Sequence, residues 1–197
     1  MPAGLRLPRI VGACDVQNPL LGERGTARVY APQKGASPEV VERLEQAMKQ
    51  LADVCASSLG RDCRGVPGAG AAGGLGFGLL TFCNATLRAG FDIVAETMHL
   101  GARVAAADLV VTGEGRLDDQ TLDGKGPAGV AALARKAGKR VIAFGGSVTE
   151  SARGAGLFDT LVAIAEPSLP LAEAMRDAAL LLELAAARTA RSIQTGR

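Results

Sequence analysis

The chain has 197 residues, of which 48% are hydrophobic and 21% charged, so it can bury a sizeable core, as one domain or two small ones, and is not generally disordered. A net charge of +2, from 22 basic and 20 acidic residues, gives no electrostatic case for a nucleic-acid or membrane-surface partner, and with 3% aromatics and no Trp the sequence argues against base-stacking platforms. No window reaches the roughly 18 apolar residues of a membrane span, and MPAGLRLPRI has no long apolar region, so the expectation is a soluble, cytoplasmic protein. The cysteines, Cys14, Cys55, Cys63 and Cys83, are widely spaced and lack a C-x-x-C pair, which reads as free thiols in a reducing compartment. His99 is the sole histidine and follows Met98 in a segment without catalytic partners, so it reads as a packing or solvent residue.

In chain order, RIVGA at Arg9–Ala13 predicts a strand that ends in Cys14, Asp15, Val16, Gln17, Asn18 and Pro19. The next segment predicts a second strand over Ala27–Ala31, then a loop of Pro32, Gln33, Lys34 and Gly35. Ser37 is placed to cap a helix with Pro38 at its first position, and Val41, Leu44, Met48, Leu51 and Cys55 mark its inward stripe to about Ala56. Gly60 to Gly78 is the most glycine-dense region, and Gly68, Gly70 and Gly73 match G-x-G-x-x-G. A dinucleotide fingerprint needs a strand directly before it, whereas RDCRGVP is charged, glycine-broken and ends in proline, so that reading is rejected. A glycine loop that faces a phosphate or packs closely fits better, feeding a helix over Leu75–Leu87 with Leu75, Leu79, Phe82 and Leu87 inward. Ile93–Gly101 is ambiguous, a short helix or a strand and helix.

After Ala105 the pattern becomes regular. A strand over Asp108–Thr112 opens into a loop holding Glu114, Arg116, Asp118, Asp119, Gln120, Asp123 and Lys125, and a helix follows over Pro127–Ala137 with Gly138 as its stop. Arg140–Phe144 predicts a strand ending in Gly145, Gly146 and Ser147; a short helix near Glu150–Ala155, a strand over Thr160–Ala165 and a helix over Pro170–Ser192 complete the chain. Alternating strands and helices predict an α/β fold with a parallel sheet, whose strand-to-helix loops face a ligand crevice at the carboxyl ends of the strands. Two compositional parts result, a glycine-rich part over 1–104 and a βαβαβα array over 105–197. Three parallel strands are thin for an independent sheet, which predicts a missing portion.

Four motifs, DVQNPLLGERGTARVYAPQKGAS, PGAGAAGGLGFGLL, GEGRLDDQTLDGKGPAGVA and VIAFGGSV, resemble those of the glycerate kinase family that phosphorylates glycerate at the 2-position, in the family's order and from about residue 9 to residue 190. The resemblance implies two α/β domains, one flavodoxin-like and one inserted into it, with the active site in the cleft between them. It makes 1–104 part of the inserted domain and 105–197 the C-terminal part of the flavodoxin-like domain, with the N-terminal half of the family absent. It implies ATP and Mg²⁺ as cofactors and glycerate as substrate. The sequence departs from its relatives at Asp123, where histidine is frequent, and at Gly126, where an aliphatic residue is.

Phosphoryl transfer needs charge neutralisation and positioning of the attacking hydroxyl. A Walker A loop is absent, since Lys125 is followed by Gly126 and Asp119 stands where the first glycine would be. The catalytic candidates are Asp118 and Asp119, to orient the hydroxyl or to hold Mg²⁺, with Asp118 as the metal candidate, Glu114 as a nearby acid and Lys125 as a cation. Each acid also reads as a helix cap or solvated loop carboxylate. Arg116 and Lys125 are candidates for the glycerate carboxylate or the transferred phosphate, or for ion pairs with those same acids. Gln120, Gln33, Lys34, Asp15, Asn18, Gly68, Gly70, Gly73, Gly74, Gly145, Gly146 and Ser147 complete the substrate- and nucleotide-binding candidates. The competing expectation is a non-catalytic α/β remnant that binds a small acid or a partner chain. Half a sheet also predicts an exposed apolar face and strand edge, favouring self-association or pairing with the N-terminal half.

Overall fold

The apolar run before Asp15 forms strand β1 (Val11–Ala13), which pairs in parallel with β2 (Thr86–Arg88), Val11 opposite Thr86 and Ala13 opposite Arg88. The computed structural model describes residues 8–122 and 126–195, which divide into one unit up to Ile93 and another from Val94. Both are mixed α/β, and every strand pair is parallel.

In the first unit, α1 (Thr26–Tyr30) and a 3-10 turn (Pro32–Lys34) precede α2 (Pro38–Leu59). The strand expected over Ala27–Ala31 is therefore a helix: Val29 and Tyr30 favour strands locally, but the buried Thr26 donates its hydroxyl to the Gly70 carbonyl and Ala27 is buried beside it. The expected cap of α2 is present, with the Ser37 hydroxyl accepting the Val40 N–H at 3.4 Å and Gly60 ending the helix at φ +64°. Its buried stripe is Val41, Ala52 and Cys55, whereas Leu44 and Leu51 are exposed, because the small Ala52 allows closer approach than a leucine ridge.

Helix α3 (Ala71–Cys83) is regular only from Leu75, since Ala72, Gly73 and Gly74 have positive φ. It stops at Asn84, in the left-handed region at φ +51°, so Leu87 lies in β2 rather than in the expected helix. Phe77 and Leu80 point inward, while Leu75 and Phe82 are exposed. The helix is apolar all round, so its period does not select a face; Gly76 does, because it lies where any Cβ would strike the Gly68 carbonyl. Leu20, Ala52, Cys55, Cys63, Ala69, Phe77 and Leu80 form the core of this unit.

The division falls within α4 (Gly90–Thr97), and α5 (Leu100–Ala106) follows the exposed His99, which has φ +53°. The second unit is built on β3 (Leu109–Leu117), β4 (Arg140–Val148) and β5 (Thr160–Ala163), in the order β3-β4-β5. Helices α6 (Asp119–Leu122), α7 (Gly126–Lys136) and α8 (Glu150–Gly154) lie between them in sequence. The expected final helix is two, α9 (Leu171–Arg176) and α10 (Ala178–Thr195), which meet at Asp177. Val110, Leu117, Val141 and Ala143 of the strands pack with Val104, Ala131, Ala134 and Ala152 of the helices. Among the described residues no helix is long and apolar enough to cross a membrane.

Candidate active site

Strand β3 runs further than its apolar residues predict. Past Thr112 the ladder with β4 continues, placing Glu114 opposite Gly145 and Arg116 opposite Ser147. Glycines allow this: a Cβ on Gly113 would meet the Phe144 carbonyl oxygen, and one on Gly146 the Gly115 carbonyl oxygen. Glu114 and Arg116 therefore stand on a strand, not in the expected loop, and Gly145, Gly146 and Ser147 form the last part of β4, where the strand was expected to end. The end of β3 is tied down from the next connection, where the Thr149 N–H donates to the Leu117 carbonyl at 3.0 Å.

The ladder carries Glu114 and Arg116 towards the carboxyl end of the parallel sheet, and Asp118 follows the strand's last residue. Arg116 Nε lies 3.2 Å from Asp118 Oδ2, with the arginine side chain 67% exposed and the aspartate 24%. Glu114 is half-buried, and its Oε1 accepts a hydrogen bond from the hydroxyl of Thr121, a residue only 2% exposed. The same hydroxyl accepts the Asp118 N–H at 3.2 Å, and the Thr121 N–H donates to the Asp118 carbonyl at 3.0 Å. Asp118 is thus the residue before helix α6, and Thr121 reaches back to it as the third helical residue does in a capping box. One buried hydroxyl joins the strand carboxylate to the loop carboxylate's backbone.

Thr121 is the residue that sequence reasoning missed. The D-x-x-T spacing of Asp118 and Thr121 was the available signal, masked by the charged residues around it. Asp119 opens α6 and is exposed, and Gln120 lies in the same helix. The candidate Lys125, with Asp123 and Gly124, lies outside the described residues.

The candidates of the first unit are arranged differently. Asp15 Oδ1 accepts the Gly90 N–H at 2.7 Å, at the start of α4. Asn18 accepts from the Tyr30 hydroxyl at 2.7 Å and donates to the Arg24 carbonyl at 2.8 Å, while its own carbonyl accepts the Gly70 N–H at 2.9 Å. Asn18 and Gly70 are brought together, each engaged with local backbone. Gly68 is buried at φ +85° against Cys14 and Leu87, and Gly73 and Gly74 have φ +73° and +92° at the bend before Leu75. Gln33 and Lys34 are exposed on the 3-10 turn.

Among the described residues no three Asp, Glu, His or Cys side chains gather as a metal site. A magnesium ion in a kinase takes only one or two protein carboxylates, with phosphate and water oxygens completing its octahedron. Asp118, partly exposed at the sheet's carboxyl end, fits that donor set as a single carboxylate.

Comparison with known proteins bears on the family and the fold. The model of the glycerate kinase family matches residues 2–194. A glycerate kinase of Bacillus subtilis (strain 168) is 43% identical over 192 residues, 96% of this chain and 49% of that protein. The glycerate 2-kinase of Escherichia coli (strain K12) is 45% identical over 138 residues, covering 70% of this chain and 36% of that protein. A crystal structure of "putative glycerate kinase 2 from Salmonella typhimurium LT2" superimposes with a TM-score of 0.80 at 42% identity, over 95% of this chain and 49% of that one. The chain spans about half the length of these relatives. On a family match across nearly its whole length, the chain belongs to the glycerate kinase family.

Proposed function

We propose that this chain supplies one wall of an ATP-dependent kinase that phosphorylates D-glycerate to 2-phosphoglycerate, and that alone it turns over poorly or not at all. The observation that carries the reading is the cluster of Glu114, Arg116 and Asp118 at the carboxyl end of a parallel sheet, in a chain of this family. In the reaction the C2 hydroxyl oxygen forms a bond to the γ-phosphorus, the bond from that phosphorus to the β–γ bridging oxygen breaks, and ADP leaves with the electron pair. The hydroxyl proton passes to a carboxylate, the role assigned to Asp118 or Asp119. Asp118 is the residue that would hold Mg²⁺, and the ion would supply charge neutralisation there.

Arg116 is assigned to an anion, the glycerate carboxylate or the transferred phosphoryl group. Its partner Asp118 leaves it 67% exposed, so an incoming anion can share the guanidinium without burying it first. Thr121 holds Glu114 and the Asp118 backbone in register, which is how a cluster on a strand and a short helix stays fixed before substrate arrives. Lys125, Gln120 and the candidates of the first unit remain proposed contacts for substrate or nucleotide.

The half-length match favours one second reading, a non-catalytic remnant that binds a small acid or a partner chain. The test is phosphorus NMR of ATP and D-glycerate incubated with the chain alone and then with the half of the Bacillus subtilis relative that it does not span. The kinase reading expects 2-phosphoglycerate in the combined sample. No phosphoglycerate in either sample supports the remnant, and phosphorylation at another oxygen overturns the assigned product.

A further inference from the structure

The end of the second unit's sheet away from Glu114 carries a charged pocket. Strand β4 begins there at Arg140, opposite Leu109 of β3, roughly 20 Å along the strands from Ser147, which pairs with Arg116. The end of α7, the start of β4 and the segment before β5 border an open pocket of about 260 Å³, whose lining includes Arg135, Lys139, Arg140, Gly156, Leu157 and Asp159. Three of these side chains are cationic, and Asp159 is the only anionic one. Asp159 Oδ2 accepts the Val141 N–H at 2.7 Å, and Arg135 donates to the Gly156 carbonyl at 2.7 Å, which pins that segment. Lys139 is half-buried and Arg140 exposed, and neither makes an ion pair with a described residue. The N–H groups of Gly156 and Leu157 have no acceptor among the described residues.

Cations at a helix end often complement its free carbonyls. Here those carbonyls are already taken around Gly138, which has φ +65°: the Ala137 N–H donates to Leu133, the Gly138 N–H to Arg135 and the Lys139 N–H to Ala134. Arg140 stands on a strand, where the net dipole is small and calls for no cation. Three like charges around one small pocket repel one another, a cost that a bound anion removes. A guanidinium grips two oxygens of a phosphate in parallel, and an ammonium adds a point charge. The volume lies below the range of drug-sized sites and suits a molecule of a few carbons. We propose that this pocket binds a small phosphate-bearing anion, held by Lys139 and Arg140, at the opposite end of the sheet from the Glu114 cluster. The inference depends on no assignment of a residue to the proposed reaction.

The test is an NMR titration of the full chain at about 0.15 M salt, with inorganic phosphate in one arm, 2-phosphoglycerate in a second and a DNA duplex in a third. Phosphate should saturate shifts of the Lys139, Gly156 and Leu157 amides with a Kd of about 5 mM or tighter. Tighter binding of 2-phosphoglycerate would assign a phosphate monoester as the ligand, and equal binding would assign free phosphate. Lys139→Gln and Arg140→Gln should each weaken binding by about fivefold or more. Asp159→Asn keeps an oxygen for the Val141 N–H but removes the negative charge, so it should tighten binding by about twofold or more. Arg116→Gln, at the other end of the sheet, should leave these shifts unchanged. Weaker phosphate binding than this, unchanged affinity in the Lys139, Arg140 and Asp159 variants, or tighter binding of the duplex than of either small anion would each overturn the inference. Phosphate is read without turnover, so these results stand apart from whether the chain supports glycerate phosphorylation.

Discussion

The two units use parallel strands but hold them by different means. In the second, β3 and β4 share eight paired positions and their side chains interlock with regularly spaced alanines and valines of α5 and α7. In the first, β1 and β2 pair over three residues, and much of the order comes from backbone pressed on backbone: Gly70 against the Pro19 carbonyl and Gly76 against the Gly68 carbonyl. Both units have a side-chain core, but in the first, glycines set against carbonyls also bring its helices and loops together. The difference teaches where each tolerates change, and it can be broken by substitution.

The largest effect is expected at the two cores. Phe77→Ala should cost the first unit about 3–5 kcal/mol, and Leu117→Ala should cost the second about 2–5 kcal/mol, because both side chains are almost fully buried. Urea unfolding followed by residue-resolved NMR should show each loss confined to its own unit. Equal losses in both would mean that they unfold together. Next come the glycines. Gly70→Ala places a methyl on a carbonyl oxygen that cannot move aside and should cost about 1–3 kcal/mol. Gly115→Ala, where nothing lies within 4 Å of the added Cβ, should be neutral or stabilising in the same unfolding assay. Similar costs at both positions would remove the distinction.

A smaller effect is expected at the site. Thr121→Val keeps the shape but removes the hydroxyl that serves Glu114 and Asp118, costing about 1–3 kcal/mol in the second unit and speeding Asp118 amide exchange. Unchanged exchange would mean that the hydroxyl does not anchor the loop. Arg116→Gln should change stability by less than about 1 kcal/mol, since its ion pair with Asp118 is exposed on the arginine side. The smallest effect concerns Asp62, whose carboxyl is held below its ordinary 3.8 first by the side-chain hydrogen bond from Arg64 and then by the Arg64 N–H. A lowered folded pKa stabilises above the unfolded value and loses that contribution as pH falls through the folded one. NMR titration should therefore find the Asp62 midpoint below 3.8, and Arg64→Gln should raise it.

The same contrast decides how much of the molecule was legible in its residues. The strands at β3, β4 and β5 and the helix at α7 follow from local hydrophobic period, and the cap at Ser37 from local chemistry. The helix at Thr26–Tyr30 and the inward face of α3 do not, because a distant carbonyl of Gly70 and a collision avoided at Gly76 select them. At the site, charge density singled out Glu114, Arg116 and Asp118. It did not show that β3 extends through them, since that depends on glycines of β3 and β4 meeting across the ladder. Thr121 escaped notice because its importance lies in a hydroxyl shared by two acids, visible only once strand and helix are folded together.

The claim that the β3–α6 cluster is the reacting pole of a glycerate kinase is tested most directly by glycerate-dependent ADP release from the complemented protein, comparing the unmodified chain with Asp118→Asn. The account predicts release that requires D-glycerate and falls by about a hundredfold or more in the variant, with no matching loss of unfolding stability. Release that is equally fast with Asp118→Asn, or independent of glycerate, would contradict it.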